Sequence, residues 1–369
     1  MSTLYRALVD SKNPTNVLQY SSTYNARNHY PSIINASGDN LFLAWTHYGE
    51  ASTDVAPCEV WARTSNNNGI SWSEDRKIIS IKEGKLGPIC PSLYKKANGN
   101  IICIVNQRND DGASYWGQLY QYESADNGLT WDEGKIIFES SVYETNDYIW
   151  TQSNNILVTL TGRLIISITI STTSSRITNT MCTVARQLYS DNEGIDWTLN
   201  DTVLQSATSG NEALLVSCSL TQLSDGTIIN VFRTRSRFVR ITKSTDNGAT
   251  WTNPPTKSET LITSNADLYV INISDILYAF ASRPSDAVPQ LTSSATRAYL
   301  DLWKSTDGGD TWAFVKNLLY DSSVHAYTEP IVYDSGLFIY LFYSYYSYDT
   351  TNGLMQDLRF EKYIYSQLN

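Results

Sequence analysis

Five copies of one short pattern are spread along this chain: Ser65-x-Asn67-x-Gly69-x-Ser71-Trp72, Ser124-x-Asp126-x-Gly128-x-Thr130-Trp131, Ser190-x-Asn192-x-Gly194-x-Asp196-Trp197, Ser244-x-Asp246-x-Gly248-x-Thr250-Trp251 and Ser305-x-Asp307-x-Gly309-x-Thr311-Trp312. The serines lie 59, 66, 54 and 61 residues apart, so one structural unit of about sixty residues recurs. Each copy has the chemistry of a tight turn. The Asp or Asn side chain bonds backbone N–H groups of its own loop, and the Gly takes a positive φ that other residues resist. The Trp brings about 150–250 Å² of largely apolar surface, enough to pin the turn into a groove between two neighbouring sheets.

A second periodicity counts the units. Turn signals at Ser37-Gly38-Asp39, Asn98-Gly99-Asn100, Thr161-Gly162, Ser224-Asp225-Gly226, Ser274-Asp275 and Ser335-Gly336 each precede an apolar run, starting at Leu41, Ile101, Leu164, Thr227, Ile276 and Leu337. Short continuous apolar runs bounded by turns read as strands buried on both faces. Six such strands against five Trp-bearing turns predict an all-β fold: a six-bladed β-propeller of four-stranded antiparallel blades, one domain spanning residues 1–369. The last unit runs out of chain after Leu358–Tyr365, so a segment within Leu4–Gln19 is expected to supply its outer strand and close the ring.

Composition narrows the partners. Asp and Glu number 37 against 27 Lys and Arg, a net charge of −10, which disfavours nucleic acid. The 25 Tyr and 10 Trp suit half-buried strands and sugar-stacking surfaces alike. Five Cys without a CxxC pair predict buried free thiols, with neither a disulfide framework nor a zinc site. The Asp-rich turns are not calcium loops: the Glu needed at position twelve is replaced by Ile137 or Lys257 when counted from Asp126 or Asp246. No metal or cofactor is expected. The opening residues carry no apolar run of signal-peptide type, and no stretch is long and apolar enough to span a bilayer. An extracellular or virion-associated location would therefore need a removed leader or another export route. Oligomeric state is not legible.

If each blade runs outward from an inner strand, the five Trp turns share one face with the turns joining first and second strands. The opposite face, around the channel mouth, collects His29, His47, Glu50 and Asp54 from blade 1, and Arg108, Asp110, Asp111, Tyr115 and Trp116 from blade 2. Glu144 and Trp150 approach blade 3, and Glu212, Arg233 and Arg235 belong to blade 4. Arg283 and Arg297 flank a polar loop of blade 5; His325, Tyr327, Glu329 and Tyr343 fall in blade 6. Several arginines around one pocket of an acidic protein point to an anionic ligand, because guanidinium groups grip carboxylates in a forked geometry.

With these residues in place, the chain resembles the sialidase (neuraminidase) superfamily over its whole length, its repeats resembling that family's Asp boxes. The run Tyr327-Thr-Glu-Pro-Ile-Val-Tyr-Asp-Ser-Gly336 resembles the family segment holding the nucleophilic Tyr. Arg297-Ala-Tyr-Leu-Asp-Leu-Trp-Lys-Ser305 is similar to the segment of its third carboxylate-binding arginine, and Leu223-Ser-Asp-Gly-Thr-Ile-Ile-Asn-Val-Phe-Arg233 to that of its second. Asp54 stands in the loop where the family keeps its acid/base Asp. Two positions depart from the pattern. The first arginine is replaced by His29, with Arg27 two residues earlier, and the Glu partner of the nucleophile would fall near Ser217, whereas the carboxylate present is Glu212.

The resemblance implies a retaining exo-glycosidase acting on a terminal, anionic sugar. Its implied machinery is Tyr327 as nucleophile, Glu212 as its base and Asp54 as acid/base, with Arg233, Arg297, His29, Arg27 and Arg108 binding substrate. A carboxylate nucleophile would meet the sialoside's own carboxylate as like charge, and a Tyr avoids this; sialidases are an exception to the two-carboxylate scheme. Two alternatives stay open: a propeller glycosidase on a neutral sugar such as arabinan, using Glu144 and Glu212, and a non-catalytic glycan-binding propeller of a virion or cell surface.

Overall fold

In the computed structural model of the chain, the described residues are 17–19, 28–48, 56–109, 117–139, 148–171, 183–205, 215–234, 236, 238–264, 266–283, 299–320, 326–336, 338–349 and 353–368. They form six antiparallel sheets arranged as blades. From the inner strand outward, blade 1 holds Asn28–Ser37, Asn40–His47, Glu59–Ser65 and Arg76–Ile79, and blade 2 holds Lys85–Lys95, Ile101–Asn109, Gly117–Ser124 and Lys135–Glu139. In blade 3 the inner strand is split into Tyr148–Trp150 and Ile156–Val158, followed by Leu164–Ser171, Thr183–Ser190 and Thr198–Leu199. Blade 4 is built from Val216–Gln222, Ile228–Arg233, Phe238–Ser244 and Thr256–Ile262, and blade 5 from Leu268–Ile273, Ile276–Arg283, Tyr299–Ser305 and Ala313–Tyr320. Blade 6 runs Ala326–Asp334, Phe338–Asp349 and Gly353–Ile364, and Val17–Gln19 pairs antiparallel with that third strand.

The second strands explain why a ring is needed. Alternate side chains on such a strand point to opposite faces, and here both faces are apolar. Phe42 and Ala44 pack with Ile101, Cys103 and Val105 of blade 2, whereas Leu41, Leu43 and Trp45 pack with Ile331, Tyr340 and Phe342 of blade 6. The same division recurs at every joint: Ile102 and Ile104 meet Ile166 and Ile168, Ile165 meets Ile228 and Phe232, Ile229 and Val231 meet Leu277 and Ala279, and Tyr278 and Phe280 meet Ile339 and Leu341. Six apolar clusters fill six joints, so no blade leaves a greasy face in water.

The repeated turns join the third to the fourth strand of blades 1 to 5, and one hydrogen-bond scheme holds them all. The Ser Oγ accepts from the Gly N–H at 2.8 Å in the copies of Gly69 and Gly128 and at 2.9 Å in those of Gly194, Gly248 and Gly309. The Asn or Asp Oδ1 accepts from the N–H of the residue before the Trp at 2.8–2.9 Å. Gly128 has φ +81°, and a Cβ there would lie 2.2 Å from Phe42 of blade 1. A Cβ on Gly194 would likewise meet Ile102 of blade 2, and one on Gly248 would meet Ile165 of blade 3. The turn of each blade thus seats its glycine on the second strand of the blade before it. At the joint between blades 6 and 1, Gly69 approaches Tyr340, whose hydroxyl donates to Asn68 O at 3.0 Å. Blade 6 has no such turn. In its place a single turn of 3-10 helix, Tyr365–Gln367, delivers Leu368 into the core between blades 5 and 6.

The four described cysteines are buried and form no disulfide with one another; Cys182 lies outside the described residues. Burial pushes the Cys218 thiol up to about 12. Among the described residues no helix is long and apolar enough to cross a membrane, and no His/Cys/Asp/Glu group is fit to hold a metal.

Two predictions test the turns. Gly309→Ala, whose Cβ would find its nearest neighbour at 3.5 Å, is expected to cost only the left-handed penalty, about 1–2 kcal/mol. Gly128→Ala should cost about 1–3 kcal/mol more, from the added clash with Phe42; urea unfolding of both variants measures the gap. The second concerns acid. Hydrogen bonds from the Thr130 hydroxyl, then from its N–H, hold the Asp126 carboxyl at about 2, and Thr311 does the same for Asp307. Both lie below the unfolded value of about 3.9, so their stabilisation is complete above that value and disappears as pH falls from about 4 towards 2. Asn67 and Asn192 make the same contacts without charge. The Asp126→Asn/Asp307→Asn variant should therefore differ from wild type in Tm at neutral pH and converge with it by about pH 2; a gap that stays constant with pH would overturn this account.

Candidate functional site

Five of the six inner strands break their pairing before they reach the channel mouth; that of blade 5 pairs without a break from Leu268 to Ile273. In blade 1 the ladder jumps from His29↔Thr46 to Ser32↔Ala44, leaving Tyr30-Pro31 as a bulge with Tyr30 at φ 54°. Blade 2 repeats this at Cys90-Pro91, φ 55° for Cys90, and blade 4 at Ser217, φ 41°. Blade 6 does so between Thr328 and Ile331, around Glu329-Pro330. In blade 3 the inner strand is interrupted outright, with Asn154 at φ 54°. Proline removes a ladder donor, and a bulge bends the strand and re-aims its side chains. The mouth-facing ends of these five inner strands thus leave the plane of their blades.

Just below the bulges, serines tie neighbouring blades together. Ser32 Oγ accepts from Leu93 N at 3.0 Å, Ser92 Oγ from Asn155 N at 3.0 Å, and Ser219 Oγ from Val270 N at 2.8 Å. Across the axis, Asn154 of blade 3 links blades 1 and 5. Its Oδ1 accepts from Ser32 Oγ at 2.9 Å, its Nδ2 donates to Tyr269 OH at 2.7 Å, and Tyr269 OH donates back to Asn154 O at 3.2 Å. Gln152 adds a bond from Nε2 to Leu268 O at 3.1 Å. Burial pushes the Tyr269 phenol up to about 12, so it stays a neutral hydrogen-bonding group. These residues plug the channel and form the floor under the mouth. They were not foreseen from sequence; the paired runs Pro31-Ser32-Ile33 and Pro91-Ser92-Leu93 were the signal available.

Above the floor, the ladder register sets levels. Tyr327 pairs with Tyr345 one position ahead of the last pair before the bulge, the level held in blade 1 by Asn28, which pairs with His47. Arg233 ends the second strand of blade 4 opposite Val216, the last pair before the bulge at Ser217. Its Nε lies 2.8 Å from Asp267 Oδ1 of blade 5, a carboxylate only 5% exposed. Arg283, at the end of the second strand of blade 5, has its Nε 2.5 Å from Asp301 Oδ2 and its guanidinium 4.1 Å from the centre of the Tyr299 ring. Arg108 is buried: its Nη2 donates to Ala56 O at 2.8 Å and to Cys58 Sγ at 3.0 Å, and it lies over Tyr48. His29 is buried against Tyr30, ring centres 3.9 Å apart, and Tyr30 meets Trp150 edge-on. Asn28 Oδ1 accepts from Trp45 Nε1 at 3.0 Å and contacts His47 Nδ1 at 2.9 Å. With that oxygen as acceptor, the His47 proton sits on Nδ1, and burial lowers the pKa of the ring.

Of the residues singled out from sequence, Arg233, Arg108 and His29 are therefore placed, and Tyr327 is placed by its backbone. Asp54, Glu212, Arg297 and Arg27, with Glu144 of the two-carboxylate alternative, lie outside the described residues. Asp267, just ahead of a strand, and Asp301, within one, were missed, since a single carboxylate in either place carries no motif.

Residues 152–348 match the family model described as the BNR repeat-like domain, more than half of the chain. The chain belongs to the BNR repeat-like family. No curated protein matches it by sequence. Among solved structures, this BNR-repeat propeller superposes on a Hadza microbial sialidase with TM-score 0.70 and 15% identity, covering 92% of this chain and 66% of that one. The NanB sialidase of Streptococcus pneumoniae gives TM-score 0.71 at 12% identity over 97% of this chain and 71% of its own. A protein of unknown function from Dyadobacter fermentans gives 0.67 at 14% identity, covering 95% of this chain and 100% of that one. The fold is that of the sialidase propellers, and this chain spans about two thirds of the sialidases' length.

The Arg233–Asp267 pair yields a prediction. Removing one partner of a buried ion pair costs about 3–5 kcal/mol, because the other charge is left in a poorly solvated place. Asp267→Ala should lose about 3 kcal/mol in urea unfolding, while Arg233→Ala/Asp267→Ala should lose less than the sum of the single variants.

Proposed function

We propose that this chain is a sialidase-type exo-glycoside hydrolase that removes a terminal anionic sugar with retention of configuration. The observation that carries this reading is the register at the mouth-facing strand ends, where Arg233 of blade 4 lies in the last pair before its blade's bulge and Tyr327 of blade 6 one pair beyond the last, in a fold that superposes on sialidases over almost the whole chain. In this scheme Tyr327 attacks the anomeric carbon while Glu212 takes its proton, and Asp54 protonates the departing oxygen. Asp54 then draws a proton from the water that cleaves the tyrosyl–sugar bond, and Glu212 returns its proton to the departing Tyr327 oxygen.

Arg233 and Arg297 hold the substrate carboxylate and orient the ring, with His29 or Arg27 completing the clamp. Asp267 engages Arg233 through Nε, and a guanidinium carries five N–H donors, so this pairing fixes the fork without exhausting it. Arg108 takes a supporting part: it grips the carbonyl of Ala56, two residues after Asp54, and so sets where that loop re-enters the blade.

One observation favours the neutral-sugar or non-catalytic reading. The described arginines of the mouth already face protein acceptors, Arg233 a carboxylate, Arg283 a carboxylate and Arg108 a carbonyl and a thiol, which weakens the net positive field an anion would seek. The assay that separates the readings uses a fluorogenic sialoside and a fluorogenic arabinofuranoside on wild type and Tyr327→Phe. Sialoside turnover that falls about 10³-fold or more in the variant is the expected result. Turnover of the arabinoside alone supports a neutral substrate, and inactivity on both, with glycan binding retained, supports a binding propeller.

A further inference from the structure

On the face that carries the repeated turns, the side chains at the fourth position of the motif close the seams between blades. Glu193 of blade 3 reaches back to the first turn of blade 2 and accepts from Ala97 N at 2.9 Å. Asn247 of blade 4 donates to Thr161 Oγ1 in the first turn of blade 3 at 2.8 Å. The seam between blades 1 and 2 is different. There the first turn of blade 1 is held by the repeated turn of its own blade, with Asn68 N donating to Asp39 O at 2.9 Å and Asn68 Nδ2 to Asp39 Oδ1 at 2.6 Å. Asn127, the fourth-position residue of blade 2, makes no side-chain hydrogen bond to any described residue, and a cavity of about 450 Å³ opens between it and blade 1.

The lining is chemically uniform. It contains hydroxyls and amides together with Ala36, Leu41 and Trp72, and no Asp, Glu, Lys or Arg. Most hydroxyls are already engaged in the turn: Ser65 with Gly69 N, Ser71 with Asn67 Nδ2 and Ser73 with Thr64 N. The amides of Asn66 and Asn127 remain uncommitted among the described residues and stand on adjoining blades, 1 and 2. Trp72 is also set differently from its counterparts. Trp131, Trp251 and Trp312 each donate Nε1 to the carbonyl of their own glycine at 3.0–3.1 Å and Trp197 donates to Gln121 Oε1 at 2.8 Å, but Trp72 Nε1 has no hydrogen-bond partner among the described residues and its ring packs edge-on against Phe342 and Phe360.

We propose that this cavity is a binding site for a neutral saccharide, separate from the channel mouth and on the opposite face of the ring. The volume lies in the range of about 300–1,000 Å³ typical of small-molecule pockets. An uncharged wall gives no purchase to phosphates, carboxylates or metal ions. An indole presents a flat apolar surface to the C–H face of a pyranose, while two amides, each both donor and acceptor, match pairs of neighbouring sugar hydroxyls.

The test uses the full chain on an array of uncharged oligosaccharides, with lactose, maltose and cellobiose titrated by calorimetry. Saturable binding is expected in wild type and in Tyr327→Phe, which alters only the other face. Asn66→Ala/Asn127→Gly should weaken it about tenfold or more through loss of two ligand hydrogen bonds, with Tm little changed because neither amide holds protein structure and Gly accepts the φ of 58° at position 127. No binding of any uncharged sugar would overturn the proposal. So would binding that survives the double substitution, or binding that is lost in Tyr327→Phe, because either would move it to the mouth.

Discussion

A glycine pressed against its neighbour's second strand is the contact on which the rest of this molecule depends. Each blade has two apolar faces and gains by burying both, but burial alone would stack sheets at any spacing and angle. The repeated turn removes that freedom. At Gly128, Gly194 and Gly248 a side chain would overlap the adjoining blade, so these joints close to a distance only backbone permits. The hydrogen bonds within each turn then hold the glycine in the left-handed conformation such an approach needs. Where blade 6 lacks the turn, Leu368 and the Tyr340–Asn68 bond provide for its two joints by other means, and the ring still closes.

A rigid ring makes the polar axis affordable in physical terms. Ser32, Ser92, Gln152, Asn155 and Ser219 are buried, and buried polar groups destabilise unless they are hydrogen-bonded. Their partners lie on neighbouring or opposite blades, so the bonds form only when the blades are already at fixed spacing. The plug made by Asn154 and Tyr269 and the pair Arg233–Asp267 belong to the same system. A mouth built on such a floor starts out preorganised, the condition under which a clamp or a nucleophile can be aimed.

The six blades were legible because their signals are local. A turn motif of eight residues and an apolar strand of five or six each announce themselves within a short window, and counting them against one another led to six units, the number the sheets show. The floor was not legible because its partners are distant: Ser32 and Asn154 are 122 residues apart and Tyr269 and Asn154 are 115 apart. Arg233 stood out from its place after an apolar strand, while its partner Asp267 did not, since nothing near it in the chain distinguishes it from any other exposed-looking acid. Ser217 shows a third kind of difficulty. Spacing from Arg233 put a carboxylate near that position, and the residue found there is a bulge at φ 41° with a buried hydroxyl, so a strand that changes direction breaks the arithmetic of spacing.

The low identity to sialidases, 12–15% for the structures compared, follows from where the constraints sit. The ring needs glycines at the turns, apolar second strands and a hydrogen-bonded axis, and many sequences satisfy these. It does not fix the residues of the mouth, which is why a scaffold of this kind accommodates more than one sugar chemistry. The charge state of the clamp is where such chemistries part. A guanidinium whose Nε is matched by a buried carboxylate, as in Arg233–Asp267, still orients an oxyanion through its remaining donors but attracts it less from a distance, because the pair is nearly neutral as seen from solvent. Under the proposed sialidase reading, a net charge of −10 favours recognition of an anionic glycan at contact range, by the forked geometry of hydrogen bonds, over its long-range steering into the mouth.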